Sequence, residues 1–168
     1  MTDINKLIAE IIPYPANRNN RDGFSNDHII DKLSSDEKIE VENALIDKLS
    51  EHPEDTLIVE TLAYMKSIKS IPILMNLLRN SSNEMSKLII ASSIYEINQD
   101  NGMVDIATNA FRKLDDNKDA YYTYKLISAF FYLVKFRNQE VNEMIRKYIN
   151  HKEYLVSYNA KRAVGVKK

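Results

Sequence analysis

The residues best suited to chemistry in this chain are its three histidines and its many carboxylates, and their spacing assembles no reaction. His28, His52 and His151 are far apart. Asp27, His28 and Asp31 fall at i, i+1 and i+4 of a short helix, a weak metal-site pattern whose plainer reading is an acidic cap beside a surface histidine. The carboxylates from Asp36 to Glu60 are spaced as a hydrated helix face, with no pair set apart for acid–base work. The chain has no cysteine, which removes thiol nucleophiles, thiolate metal sites and disulfides together. It carries no Gly-rich phosphate loop, no His-Glu-x-x-His run and no Gly-x-Ser-x-Gly elbow. No catalytic residue, metal or cofactor is therefore expected, and the chain reads as a non-enzyme.

Residues suited to binding are better organised. On a helix expected from Ala120 to Phe136, Tyr121, Lys125, Ser128, Tyr132 and Lys135 share one aromatic and cationic face, opposite an apolar stripe of Tyr124, Ile127, Phe131 and Val134. Tyr supplies rigid contact area with a polar tip, a composition common on protein-binding surfaces. The alternative reading buries those rings between helices and brings only the hydroxyls to water. The bases Lys125, Lys135, Arg137, Arg146, Lys147, Lys152, Lys161 and Arg162, interleaved with Tyr121, Tyr132, Tyr148 and Tyr154, also suit a single-stranded nucleic acid. A sequence pI of about 6.3 and an acidic first half argue against that use, so nucleic acid is the less favoured partner.

The elements that must carry these residues are helices. Gly (3) and Pro (4) are too scarce for a turn-rich sheet protein, and no window of convincing period two competes. A first helix carries Ile4, Leu7, Ile8, Ile11 and Ile12 and stops at Pro13-Tyr14-Pro15; an irregular stretch follows to Asn26. A short helix spans Asp27 to Leu33. Ser34-Ser35-Asp36-Glu37 then forms a capping box for a helix bearing Ile39 or Val41, Leu45 and Leu49. Next comes a helix with Ile58, Leu62 and Met65, one from Ser70 with Pro72 in its first turn, and one from a second capping box at Ser81 to Glu84. Beyond Asp100-Asn101-Gly102 lie a helix with Val104, Ala107, Ala110, Phe111 and Leu114, the aromatic helix to Phe136, one with Val141, Met144, Ile145, Tyr148 and Ile149, and a last from Glu153 to Val164.

The anchors of these helices recur. Leu62, Ile94, Phe131 and Ala160 form one series, and the pairs Leu45/Leu49, Leu74/Leu78, Ala110/Leu114 and Ile145/Ile149 form another, both with a period of about 33 residues. The segment IPILMNLLRNSSNEMSKLIIASSIYEI and the later KEYLVSYNAKRA resemble HEAT-like (armadillo-type) repeats: a Pro-initiated outer helix, a Ser/Asn turn, and an inner helix with small residues among aliphatics. The resemblance covers roughly Ser35 to Val164. It implies an all-α, right-handed α-solenoid of stacked antiparallel helix pairs, about eight or nine helices, whose inner helices line a concave face. On that face Tyr64, Tyr95 and Tyr132 would line up beside Glu60 and Ser92, with Ile58, Leu62, Ile90 and Ile94 as the spine.

At 168 residues one domain is expected: capping helices and loop over 1–33, repeats over 34–164, and a tail over 165–168. The opening MTDINKLIAEII carries Asp3 and Glu10 and is not read as a signal peptide, and no apolar run reaches the roughly 20 residues that span a bilayer. A cytoplasmic protein without a membrane partner is expected. Residues 1–60 hold 14 acidic and 6 basic side chains, whereas 3 acids face 10 bases after Ala120. This polarity bears on association: an adaptor or stoichiometric inhibitor of another protein, with an immunity-type inhibitor of a nuclease toxin as one version, or a weak head-to-tail oligomer instead of a monomer.

Overall fold

A computed structural model of the chain describes residues 3–16 and 24–166. The central part of the expected Pro13 to Asn26 loop, 17–23, lies outside the described residues. Those described form ten α-helices, as many as the helical segments read along the sequence and one or two more than the repeat resemblance implies, and no strand. Chain contacts divide them into two compact units, Met1–Leu77 and Leu78–Lys168, with the division falling inside one helix.

In the first unit α1 (Ile4–Ile11) starts where Asp3 accepts hydrogen bonds from the Asn5 and Lys6 amides and stops ahead of Pro13, which disfavours helix at the residue before it. Its buried residues are Leu7 and Ile11, followed by Ile12. After α2 (Asp27–Ile30) comes α3 (Ser35–Glu51), opened by the expected capping box: Glu37 N–H donates to the Ser34 hydroxyl and Ser34 N–H donates to the Glu37 carboxylate. Val41, Leu45 and Leu49 are fully buried at i, i+4 and i+8, whereas Ile39 is exposed, which resolves the choice between Ile39 and Val41. α1 and α4 both pack on α3.

Helix α4 (Thr56–Tyr64) buries Ile58, Val59, Thr61, Leu62 and Ala63. A buried Asn26 joins the helices, its Nδ2 donating to the Ile11 carbonyl at 3.0 Å and to Thr61 Oγ1 at 2.7 Å. Lys66, at φ 57°, turns the chain into a 3₁₀ segment, Ile68–Ser70, and α5 (Ile71–Asn80) follows with Pro72 in its first turn, where no N–H is required.

In the second unit α6 (Glu84–Asn98) is capped by Asn83, whose side chain accepts from the Ser86 amide. The cap expected at Ser81 thus lies two residues further on, while Ser81 Oγ accepts from the Asn83 amide in the preceding turn. α7 (Gly102–Asp116) buries Met103, Val104, Ala107, Ala110, Phe111 and Leu114, and α8 (Tyr122–Leu133) continues into a 3₁₀ turn, Val134–Phe136. Arg137, at φ 46°, ends that turn, and Asn138 caps α9 (Gln139–Arg146), which leaves Tyr148 and Ile149 beyond the helix; α10 (Tyr154–Ala163) is last. α6 packs against α7, α8 and the Val134–Phe136 turn, and α10 packs against α8 and α9. Phe111, Phe130 and Tyr148 meet at ring separations of 5.3 to 6.1 Å and centre this unit's aromatic core.

Candidate functional site

The face presented by α8 differs from the expected one by about one residue. Its buried residues are Leu126, Ala129, Phe130 and Leu133, with Phe136 in the following turn. The expected stripe of Tyr124, Ile127, Phe131 and Val134 is therefore corrected: Tyr124 is 68% and Phe131 59% exposed, while Ile127 and Val134 are half-buried. One residue of register is about 100° of helix rotation, enough to turn a core stripe into a surface. The anchor of this helix is accordingly Phe130 and not Phe131; Leu62, Ile94 and Ala160 are fully buried as expected.

The outward row is Tyr121, Tyr124, Ser128 and Phe131, spaced by three and four residues in turn, with the half-buried Lys135 four residues further on. Beside it a cleft of about 480 Å³ opens between α8 and α10, walled by Ile127, Phe130, Phe131, Val134 and Ala163, with Ser128, Tyr132, Asn159 and Arg162 as polar groups. The Asn159 amide donates to the Leu155 carbonyl at 2.8 Å, and the Arg162 guanidinium lies 5.8 Å from the Tyr158 ring centre. Among the described residues no carboxylate lines the cleft. Mostly apolar walls with a few convergent polar groups are a binding composition.

Of the residues singled out from the sequence, Tyr121, Lys125, Ser128, Tyr132 and Lys135 do lie on α8 or at its ends, but not equally available. Lys125 is ion-paired with Asp119, whose carboxyl that hydrogen bond holds below its ordinary pKa. Lys135 is ion-paired with Glu96 at 2.9 Å and stands 5.2 and 5.3 Å from the rings of Phe131 and Tyr132. Tyr132 meets Phe131 edge-on at 5.2 Å and is half-buried. Tyr95 rests its ring on Phe136 at 4.9 Å. Ser92 is corrected outright: it is fully buried and its hydroxyl donates to the Ile89 carbonyl, because α6 is enclosed on that side too.

Glu60 and Tyr64 belong to the first unit. Glu60 is half-buried. Tyr64 donates its hydroxyl to Asp31 at 2.9 Å, and that bond, with some burial and the charges of Asp31 and Asp27, raises its pKa. The pair borders a hollow of about 420 Å³ shared with Ile30, Lys38, Ile39, Glu42 and Met65. Asp31 is thus engaged by a phenol, and among the described residues no group of three His, Asp or Glu is arranged to hold a metal ion.

One polar cluster was not visible in the sequence. Tyr122 donates to Asp115, and Lys118 Nζ donates to the Asp115 carbonyl at 2.7 Å and to Tyr122 Oη at 2.6 Å. Burial alone would raise the Asp115 pKa, but hydrogen bonds from Tyr122 and Tyr148 and the nearby Lys118 charge outweigh it, and the net shift is down. Burial, then the bond to Asp115, pushes the Tyr148 phenol well up. The cluster joins an ionised carboxylate to protonated phenols, a clamp between the end of α7 and the start of α8. A loop separates its members, so no helical spacing announces it.

No family model matches the chain, and neither a curated protein nor a solved structure matches it. The resemblance to HEAT-like repeats therefore stands on the residues quoted for it.

Proposed function

We propose that the protein is a non-catalytic, cytoplasmic protein-binding module that works as an adaptor or stoichiometric inhibitor, using the outward row of α8 and the adjoining cleft. The observation that carries this reading is Phe131, 59% exposed on a well-formed helix. A tyrosine at the surface can be explained by its hydroxyl; a phenylalanine has no polar tip to bring to water. Together with Tyr121 and Tyr124, each 68% exposed, it makes an apolar patch of the sort that marks an interaction surface. The right-handed solenoid of stacked HEAT-like pairs is part of the same proposal, supported by the recurrence of buried anchors at Leu62, Ile94, Phe130 and Ala160. An immunity-type inhibitor, with the acidic stretch from Asp27 to Glu60 steering toward a cationic toxin site, is the particular form to examine first.

The competing reading is nucleic-acid binding, favoured by the acid-free cleft and the excess of bases after Ala120. Two measurements separate them. Affinity purification of the intact protein from its own cells should yield a partner in a fixed molar ratio that Phe131→Asp removes. Retention on single-stranded DNA or RNA at low salt, with no protein recovered in a fixed ratio, would overturn the protein-binding reading.

A further inference from the structure

The geometry points to an acidic amphipathic helix of a partner protein as the occupant of the α8–α10 cleft, an inference that rests on the protein-binding reading above. Three observations converge. Tyr124, Ser128 and Phe131 recur at i, i+4 and i+7 along α8, with Tyr121 one step before and Lys135 one step after. That alternation of three and four residues is the seam along which one helix takes the side chains of another. An extended strand would instead need an open sheet edge, and the described residues contain no strand.

The second observation is shape. Ile127 and Val134 of α8 and the small side chain of Ala163 on α10 line the cleft together with Ser128 and Phe131 of the row, so that row and cleft form one continuous surface. α8 has 12 residues, or about 18 Å at 1.5 Å per residue, which a facing helix of three to four turns would match.

The third is charge. The lysines of this unit from Lys87 to Lys135 are matched by carboxylates of their own chain, Lys87 and Lys113 with Glu84, Lys118 with Asp115, Lys125 with Asp119, and Lys135 with Glu96, whereas the later bases Arg137, Arg146, Lys147 and Lys152 have no such partner among the described residues. Arg162 on the cleft wall and its neighbour Lys161 have no carboxylate within ion-pair distance among the described residues. Arg162 is exposed and held near Tyr158. A guanidinium so placed beside an apolar trough recognises a carboxylate flanking an apolar anchor, and it disfavours a basic helix.

The test is a selection of displayed 14-residue helical peptides, randomised at surface positions, on the intact protein. Recovered binders should combine apolar residues at three- and four-residue spacing with an excess of Asp and Glu on one flank. Phe131→Asp and Arg162→Glu should each weaken them by about tenfold or more, as removal of a central anchor or of a charge partner does. Because both side chains are exposed, an unchanged circular dichroism spectrum will show that the variants fold. Basic or charge-indifferent binders, no helical binders, or affinity untouched by both substitutions would each overturn the inference. A protein partner recovered in fixed ratio alongside such peptides would leave the protein-binding reading standing and remove only the acidic helix; no partner at all would remove the broader reading.

Discussion

Helices α6 and α8 are built from similar residues and end in opposite circumstances. α6 buries eight of its 15 residues, from Leu88 round to Ile97, so nearly every side is covered; α8 buries four of 12 and holds two large aromatic residues in water. The difference lies in the small residues. Ala91, Ser92 and Ser93 in the middle of α6 let α7, α8 and the Val134–Phe136 turn close around it. On α8 Tyr124 and Phe131 occupy the outward positions, and no element among the described residues covers them. An apolar-rich helix is thus a core element or a docking element according to where its bulk lies, and composition alone does not distinguish the two.

The largest expected effect sharpens this contrast between adjacent residues. Phe130→Ala should cost about 3–5 kcal/mol, through lost burial and the cavity left beside Phe111 and Tyr148. Phe131→Ala should stay within about 0.5 kcal/mol, as surface substitutions do. Urea denaturation of both variants measures the difference. Equal costs would mean that α8 presents a different face from the one described. Next in size, Ile94→Ala on α6 should cost about 2–5 kcal/mol, since its side chain is fully enclosed. A loss under about 1 kcal/mol would show that α6 is not the covered helix of its unit.

Much of this architecture was legible in the sequence, for reasons that separate local from tertiary effects. The Ser34/Glu37 box, Pro72 in its first turn and the break at Arg137-Asn138 are local chemistry, satisfied within a few residues, and they stand where expected. The Asn83 cap was missed because Ser81, Ser82 and Asn83 all offer an acceptor, and only the packing of α6 chooses among them. The face of α8 was missed for a stronger reason: in YYTYKLISAFFYLVKF nearly every position is apolar or aromatic, so the periodic signal is weak and two registers fit almost equally. Of the candidate site, the helix that carries Tyr121 to Lys135 was legible, but the availability of each residue depends on ion pairs such as Lys135–Glu96, whose partners lie 39 positions apart.

A smaller effect tests what sets the roll of α8. Asp115 receives the hydroxyl of Tyr122 at the first turn of α8, tying that helix to the end of α7. Its folded pKa is depressed, so the carboxylate favours the folded state above the ordinary value of about 3.9, and that contribution is lost as pH falls through the lower folded value. Wild type should exceed Asp115→Asn in stability at pH 7, and the gap should shrink steadily below about pH 4. A gap independent of pH would mean that the charge of Asp115 does not hold the clamp, and the orientation of α8 would then rest on packing alone.

The smallest expected change lies at the centre of α6, where two adjacent serines are equally buried. Ser92 donates its hydroxyl to the Ile89 carbonyl at 2.9 Å, whereas the Ser93 hydroxyl makes no hydrogen bond among the described residues. Both sit where a larger side chain would keep neighbouring helices away. Removing an unpaired buried hydroxyl ends a desolvation cost without opening a cavity, since only one atom is lost, and alanine is the better helix former. Ser93→Ala should therefore leave stability unchanged or raise it by up to about 1 kcal/mol, while Ser92→Ala should lower it by about 0.5–1.5 kcal/mol. Paired urea curves at one pH would read both. If Ser93→Ala proved the more costly, the hydroxyl would be engaged, and the closure around α6 would depend on a polar contact and not on small size alone. If both are near neutral, small volume is what these positions supply, and the contrast with Tyr124 and Phe131 on α8 reduces to where each helix carries its bulk.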